Sequence, residues 1–300
     1  MDLKNYLKDR EEIVNKALDS LLPGEDEFPQ RLHKAMRYSV FAGGKRIRPI
    51  LAVASAEVFG KTAEDVINIA CAIELIHTYS LIHDDLPAID NDDLRRGMPT
   101  NHKVFGEAIA LLAGDALLTM AFQIMSRQVG RAVPANYRWA EPTLQVIQEI
   151  ASAAGSIGMV GGQVVDIESE GKEVAFPVLE YIHIHKTGEL ILASCRAGAI
   201  MANAGDKGLE AITKYGEAIG LAFQIADDIL DVEGNKEEAG KNIGGDAKKG
   251  KATYPSVLGV DESRKRAKEL VDIAIASLKG FDEKAEPLRA IARYIVERRK

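Results

Sequence analysis

Positive charge in bulk is the first thing this chain lacks. Across 300 residues, 45 acidic side chains outnumber 38 basic ones, for a formal net charge of −7. No polycationic surface is available for nucleic acid, so any basic chemistry must be local. Cysteine is nearly absent: Cys71 in "IACAIE" and Cys195 in "ASCRAG" lie far apart. Two distant thiols build no disulfide framework, and buried free thiols in a reducing cytoplasm are the expectation. Long uncharged runs are scarce too. Stretches such as "EAIALLAGDALLTMAF" meet a charge before the roughly 18 apolar residues a bilayer span needs, so no membrane span is expected. The start, "MDLKNYLKDREE", holds no apolar secretory core. Sustained two-residue alternation and internal repeats are also missing, which argues against sheets and solenoids.

Helix-period patterning is what remains, on an ordinary globular balance of 46% hydrophobic and 28% charged residues. Val66, Ile69, Ala70, Ile73, Ile76 and Ser80 mark one buried helix face. Thr62 with Asp65 three residues on reads as the capping box that opens this helix. Pro87 should end or distort it, because its ring collides with the carbonyl four residues back. Breaks fall at Gly43-Gly44, at Gly60, and across 130–142, 168–177, 233–251 and 279–287. The expected architecture is all-α: one domain over 1–300, a large helical bundle of ten or more helices.

Two acidic clusters interrupt the apolar helices. "LIHDDLPAID" carries Asp84, Asp85 and Asp90, and "FQIADDILD" carries Asp227, Asp228 and Asp231, its first aspartate 143 residues after Asp84. One such cluster can be a solvated helix end. Two, both embedded in apolar sequence, would repel unless cations lie between them. Carboxylate oxygens suit Mg²⁺, which completes its shell with water or substrate phosphate. Asp227 and Asp231 share a helix face, with Phe223 and Gln224 one turn before. Asp84 and Asp90, six apart, stand about 240° apart on a regular helix and would not, so a distortion at Pro87 is required.

Basic residues recur at phosphate-binding spacing. "FAGGKRIRPIL" sets Lys45, Arg46 and Arg48 after a double glycine, with Pro49 expected as the first residue of a helix whose N-terminus adds an anion site. Arg95 and Arg96 follow the first aspartates; Lys186 and Thr187 lie in "HIHKTGEL"; Lys241 and Lys251 lie in a Gly/Lys-rich loop. His183 and His185 fall on opposite helix sides and are no metal pair. Carboxylates beside Lys and Arg point to Mg²⁺-bridged diphosphates, which satisfy both.

"GGKRIRP", "LIHDDLPAIDNDDLRRG", "GGQVVD", "HKTG", "FQIADDILD" and "GKATYP" occur in the order seen in trans-prenyl diphosphate synthases. The chain resembles that family over essentially its whole length, and within it most resembles bacterial farnesyl diphosphate synthases. The resemblance implies an all-α isoprenoid-synthase fold with the aspartate motifs on facing walls of a central cavity, usually as a homodimer. It implies Mg²⁺, three ions with substrate bound and Mn²⁺ able to substitute, and condensation of an allylic diphosphate with isopentenyl diphosphate. Asp84, Asp90 and Asp227 then resemble the main metal ligands, with Asp85, Asp228 and Asp231 secondary or water-mediated. Arg95, Lys186, Thr187, Gln224, Lys241 and Lys251 resemble the allylic-diphosphate contacts. Gly44, Lys45, Arg48, His77 and Arg96 resemble the isopentenyl diphosphate site. The DD-x4-D spacing of the first motif is shared by bacterial farnesyl and plant-like geranylgeranyl enzymes, so it leaves product length open.

In the mechanism expected, metal and Arg/Lys neutralise the leaving diphosphate, and the allylic cation is attacked by the double bond of isopentenyl diphosphate. Phe223, Thr187 and Gln224 shield that cation, the departing diphosphate takes the last proton, and the loop 234–251 closes as a lid. Tyr79, five residues before Asp84 and about 7.5 Å down the helix, should stop the growing tail near fifteen carbons. Small Ser80 on the Asp84 face leaves a leak to twenty carbons open. The competing readings are a geranylgeranyl diphosphate synthase, a terpene cyclase and a non-catalytic synthase subunit. A cyclase has no use for "GGKRIRP", and a non-catalytic subunit would be expected to have lost acidic or basic site residues that are all present here.

Overall fold

The computed structural model describes residues 1–130, 140–233 and 251–297. Lys241 and residues 234–250 of the expected lid lie outside the described residues. The chain runs through α1 (Leu3–Leu21), α2 (Gln30–Val40), α3 (Ile47–Val58), α4 (Ala63–Asp84), α5 (Asn101–Phe105) and α6 (Glu107–Gly130). It continues with α7 (Ala140–Ala154), α8 (Met159–Ser169), α9 (Phe176–Ile182), a π-helical turn (His183–Gly188), α10 (Glu189–Met201) and α11 (Gly205–Glu233). After the undescribed segment come α12 (Tyr254–Leu258), α13 (Val260–Ser277) and α14 (Glu286–Glu297). The fold is all-α, as expected. Among the described residues, strands are confined to β1 (Leu94–Arg95) and β2 (Met98–Pro99), an antiparallel pair with Leu94 opposite Pro99.

The local signals explain how α4 is set. The Thr62 amide donates to the Asp65 carboxylate at 2.9 Å, closing the expected capping box. Val66, Ile69, Ala70, Ile73 and Ile76 are fully buried, while Ser80 is half-buried, its hydroxyl donating to the His77 carbonyl. Proline does not open α3. The helix starts at Ile47, behind Arg46 at φ 49°, and Pro49 sits in its first turn, where a missing amide costs nothing.

Buried apolar side chains form two clusters, and α3 and α10 contribute to both. Gly198 allows that crossing: a Cβ there would stand 2.0 Å from the Ala52 carbonyl oxygen. Cys71 and Cys195 are free and buried, and burial pushes each thiol up to about 12. Charge interruption alone proved too strict a test for membrane spans. By length and composition Ala63–Asp84, Glu107–Arg127 and Ala140–Ser169 are each apolar enough to cross a bilayer. In α4, however, 72% of that apolar window is buried inside the fold.

Arg46, in the middle of the basic loop, belongs to the core. It pairs with Glu74 at 2.6 Å with both side chains almost inaccessible, and also donates to Asn15 and to the Val40 carbonyl. Removing one partner of such a pair strands the other charge in a low-dielectric interior. Arg46→Ala is therefore expected to cost about 3 kcal/mol, read as a lower denaturant midpoint at unchanged slope.

Candidate active site

The six-residue gap between Asp84 and Asp90 is closed by a turn. Helix α4 stops at Asp84, and the chain reverses so that the Asp90 amide donates to the Asp84 carbonyl at 2.8 Å. The Asn91 amide reaches the Leu86 carbonyl at 3.1 Å, with Asn91 left-handed at φ 51°. Pro87 thus brings the outer aspartates together, where a continuing helix would have set them apart. Burial raises the Asp84 pKa, and the Asp90 and Asp85 charges add to this, against Lys186 and Arg95, which lower it. A carboxylate crowded in this way favours a nearby cation.

Asp85, next along the chain, is engaged by a cation of the fold itself. It is buried, and both its oxygens accept from Arg95, at 2.8 and 2.9 Å from Nε and 2.5 Å from Nη2. The pair fixes the Arg95 guanidinium beside Asp84.

Opposite lies the π-helical turn that carries Lys186 and Thr187. Such turns re-aim side chains within a helix. Gly162 of "GGQVVD" allows the close approach: a Cβ there would lie 2.3 Å from the Lys186 amide nitrogen. From the same helix, Asp166 accepts from Lys186 Nζ at 2.7 Å. Lys251 joins this group, 3.0 Å from Asp90 and 3.5 Å from Asp166. Asp166 was not singled out from the sequence, yet it holds two of the lysines that were. The signal was a Gln-x-x-Asp spacing, Gln163 to Asp166, repeated in Gln224 to Asp227.

On α11 the three aspartates divide. Asp227 and Asp231 are half-buried, and Asp227 interacts electrostatically with Arg48. Asp228 is buried, accepting from Gln224 Nε2 and from the Tyr254 amide, each at 2.9 Å. The Thr187 hydroxyl donates to Gln224 Oε1 at 2.9 Å, so a polar chain runs Thr187–Gln224–Asp228–Tyr254. Asp228 anchors the segment following residue 250. Phe223, half-buried, packs on the second core cluster.

The basic group assembles around the double glycine. Gly44, at φ 121°, lies against Arg96, whose guanidinium a Cβ would meet at 2.6 Å, and Arg96 donates to the Gly43 carbonyl. Arg48 Nη1 lies 3.4 Å from His77 Nε2. Burial and the Arg48 charge hold the His77 pKa well below the usual range, so its neutral ring accepts from Arg48. Among the described residues Arg48 Nε has no hydrogen-bond partner, a donor left for an anion. Lys45 Nζ stands 5.8 Å from the Tyr294 ring centroid, so α14 forms one wall of the loop.

No three His, Cys, Asp or Glu side chains among the described residues converge closely enough to hold a metal alone. The donor set still fits Mg²⁺. Asp84 and Asp90 are adjacent oxygen donors, Asp84 is charge-crowded, and lysines held in place mark where phosphate oxygens would complete the shell.

A family model described as polyprenyl synthetase matches residues 29–292. The chain is 49% identical over 298 residues to a geranylgeranyl diphosphate synthase of Cyanophora paradoxa, covering 99% of this chain and 97% of that one. It is 44% identical over 298 residues to a farnesyl diphosphate synthase of Geobacillus stearothermophilus, covering 99% and 98%. The crystal structure of an FPP/GFPP synthase from Zymomonas mobilis superposes with a TM-score of 0.85 at 40% identity, covering 98% and 99%.

Proposed function

The chain belongs to the polyprenyl synthetase family, and on that premise we propose that it condenses dimethylallyl and then geranyl diphosphate with isopentenyl diphosphate to give (2E,6E)-farnesyl diphosphate. The fifteen-carbon product rests on Tyr79, which is 6% exposed in the core and meets the His83 ring edge-on at 5.6 Å, five residues before Asp84. In this reading that ring closes the space below the reacting end. The geranylgeranyl alternative draws on Ser80, small and half-buried at the neighbouring position.

Each group of residues has a task in this reading. Lys186, Lys251 and Arg95, held by Asp166, Asp90 and Asp85, bind the allylic diphosphate and take up its growing charge. Mg²⁺ on Asp84, Asp90 and Asp227, when bound, supplies further charge neutralisation to the leaving group. Lys45, Arg48 and Arg96 hold the second diphosphate, and neutral His77 orients Arg48. Thr187 and Gln224 present oxygens to the carbon that becomes positive, and the double bond of isopentenyl diphosphate attacks it. The lost proton passes to the departing diphosphate. Holding both substrates in register supplies much of the rate.

A homodimer fits the surface of α6. Leu111 and Leu112 are 46% and 52% exposed on a helix apolar enough to need cover, and a second copy is the occupant proposed. Two buried free thiols suit the cytoplasm.

The deciding assay supplies Mg²⁺, isopentenyl diphosphate and dimethylallyl diphosphate, then sizes the prenyl alcohols after dephosphorylation. Fifteen-carbon product is expected, and mainly twenty-carbon product would reject the farnesyl reading. Release of hydrocarbon without isopentenyl diphosphate would indicate a cyclase instead. Tyr294→Leu should raise KM for isopentenyl diphosphate about two- to fivefold, the worth of one exposed cation–π contact, and leave KM for the allylic partner unchanged. Tyr294→Phe, which keeps the ring, should match the unaltered enzyme.

A further inference from the structure

Among the described residues near these walls, Gln163 is a side chain neither of whose polar atoms the arrangement above uses. Both Nε2 and Oε1 are buried, and among the described residues neither has a hydrogen-bond partner. Native proteins rarely leave a buried amide in that condition, because both groups forgo water and gain nothing in return. Such a residue is held against its own cost when something else uses it.

Its position indicates the use. Gln163 lies on α8 between Gly162, which abuts the Lys186 backbone, and Asp166, which binds Lys186 and helps hold Lys251. Three residues place it about 60° around the helix from Asp166 and about 4.5 Å along the axis. Glu170, one turn beyond Asp166, stands 3.9 Å from Lys251, and Met159, one turn before Gln163, is buried in the core. The helix therefore descends from the lysine level at Asp166 toward the core, and Gln163 is the first turn below. Gln224 has the same relation to Asp227 on α11. Its amide is already engaged, by Thr187 and Asp228, and the Gln163 amide is not.

Resting on the condensation proposed above, we propose that Gln163 is a further catalytic residue: its amide carbonyl faces the allylic carbon as that carbon becomes cationic, and its N–H group donates to the departing diphosphate. A fixed carbonyl dipole in a water-poor site stabilises developing positive charge without having to reorient. The amide meets its two partners only as the C–O bond breaks, one electron pair leaving with the diphosphate. Its interaction is accordingly stronger in the transition state than with bound substrate.

The test uses Gln163→Met, which is close in size and has no amide, and Gln163→Asn, which carries the amide on a shorter stem. For the Met variant kcat should fall roughly ten- to hundredfold, the scale of one lost transition-state dipole, with KM for isopentenyl diphosphate within about twofold. Affinity for an ammonium diphosphate that mimics the allylic cation should fall by a similar factor, and affinity for an unreactive allylic thiolodiphosphate, whose hydrocarbon chain carries no positive charge, should hold. Its Tm should stay level or rise, since an unpaired buried amide has been removed. The Asn variant should lie between Met and wild type in kcat and in ammonium affinity. Met-variant kcat within twofold of wild type, equal loss of both analogues, or a Tm lowered by several degrees would each overturn the proposal. Wild-type protein that forms no condensation product would defeat the underlying function instead, an outcome the same assay separates.

Discussion

Asp84→Ala is expected to lower kcat about a thousandfold or more, some 4 kcal/mol of transition-state stabilisation, while Tm moves by no more than a few degrees. The two effects separate because of where Asp84 stands. It ends α4, half-buried, with burial and the Asp90 and Asp85 charges all raising its pKa. Alanine removes a crowded carboxylate from the fold, so stability loses little and can gain. In the proposed mechanism, turnover loses the oxygen that with Asp90 would hold metal against the leaving diphosphate. Asp85→Ala makes the contrast. Its carboxylate is buried and clamps Arg95, so its removal strands a guanidinium, and both kcat and Tm should drop. Paired kinetics and thermal melts on the two variants check this, and near-full activity in Asp84→Ala would remove that residue from the chemistry.

Much of this was legible because the signals were local. The capping box at Thr62, the apolar face of α4 and the stop before Pro87 follow from neighbouring residues, and each formed as read. The paired aspartate motifs and the basic loop were visible because residue type and spacing carry their chemistry. Sequence alone could not show which of several like charges turns inward. In "GGKRIRP" Arg46 is buried on Glu74 while Lys45 reaches the Tyr294 ring, a division set by helices 28 and about 250 residues away. Asp85 and Asp228 look like their neighbours Asp84 and Asp227 in sequence, and only tertiary contacts with Arg95 and Tyr254 set them apart. Asp166 carried no signal as a lone carboxylate; its meaning came from two lysines, 20 and 85 residues further along the chain.

Product length is where a single side chain should change the outcome most visibly. Tyr79→Met is expected to shift the main product from fifteen to twenty carbons. The ring lies at 6% exposure, edge-on to His83, and about 7.5 Å below Asp84 along α4. A tail anchored at the aspartates by its diphosphate must pass that level to take a further five-carbon unit. A planar, buried ring packed against its neighbours does not yield. Unbranched methionine has three rotatable bonds and can fold aside, which opens the path with modest loss of core packing. The rate of the first condensation should hold within a few-fold, because Asp84, Lys186 and Lys251, the residues proposed to bind the metal and the diphosphate, are untouched. Tyr79→Phe keeps the ring and should keep fifteen carbons, so that steric bulk, not the hydroxyl, is what the pair of variants reports. Chromatography of the dephosphorylated alcohols reads the result directly, and an unchanged profile in Tyr79→Met would place the stop elsewhere in the cavity.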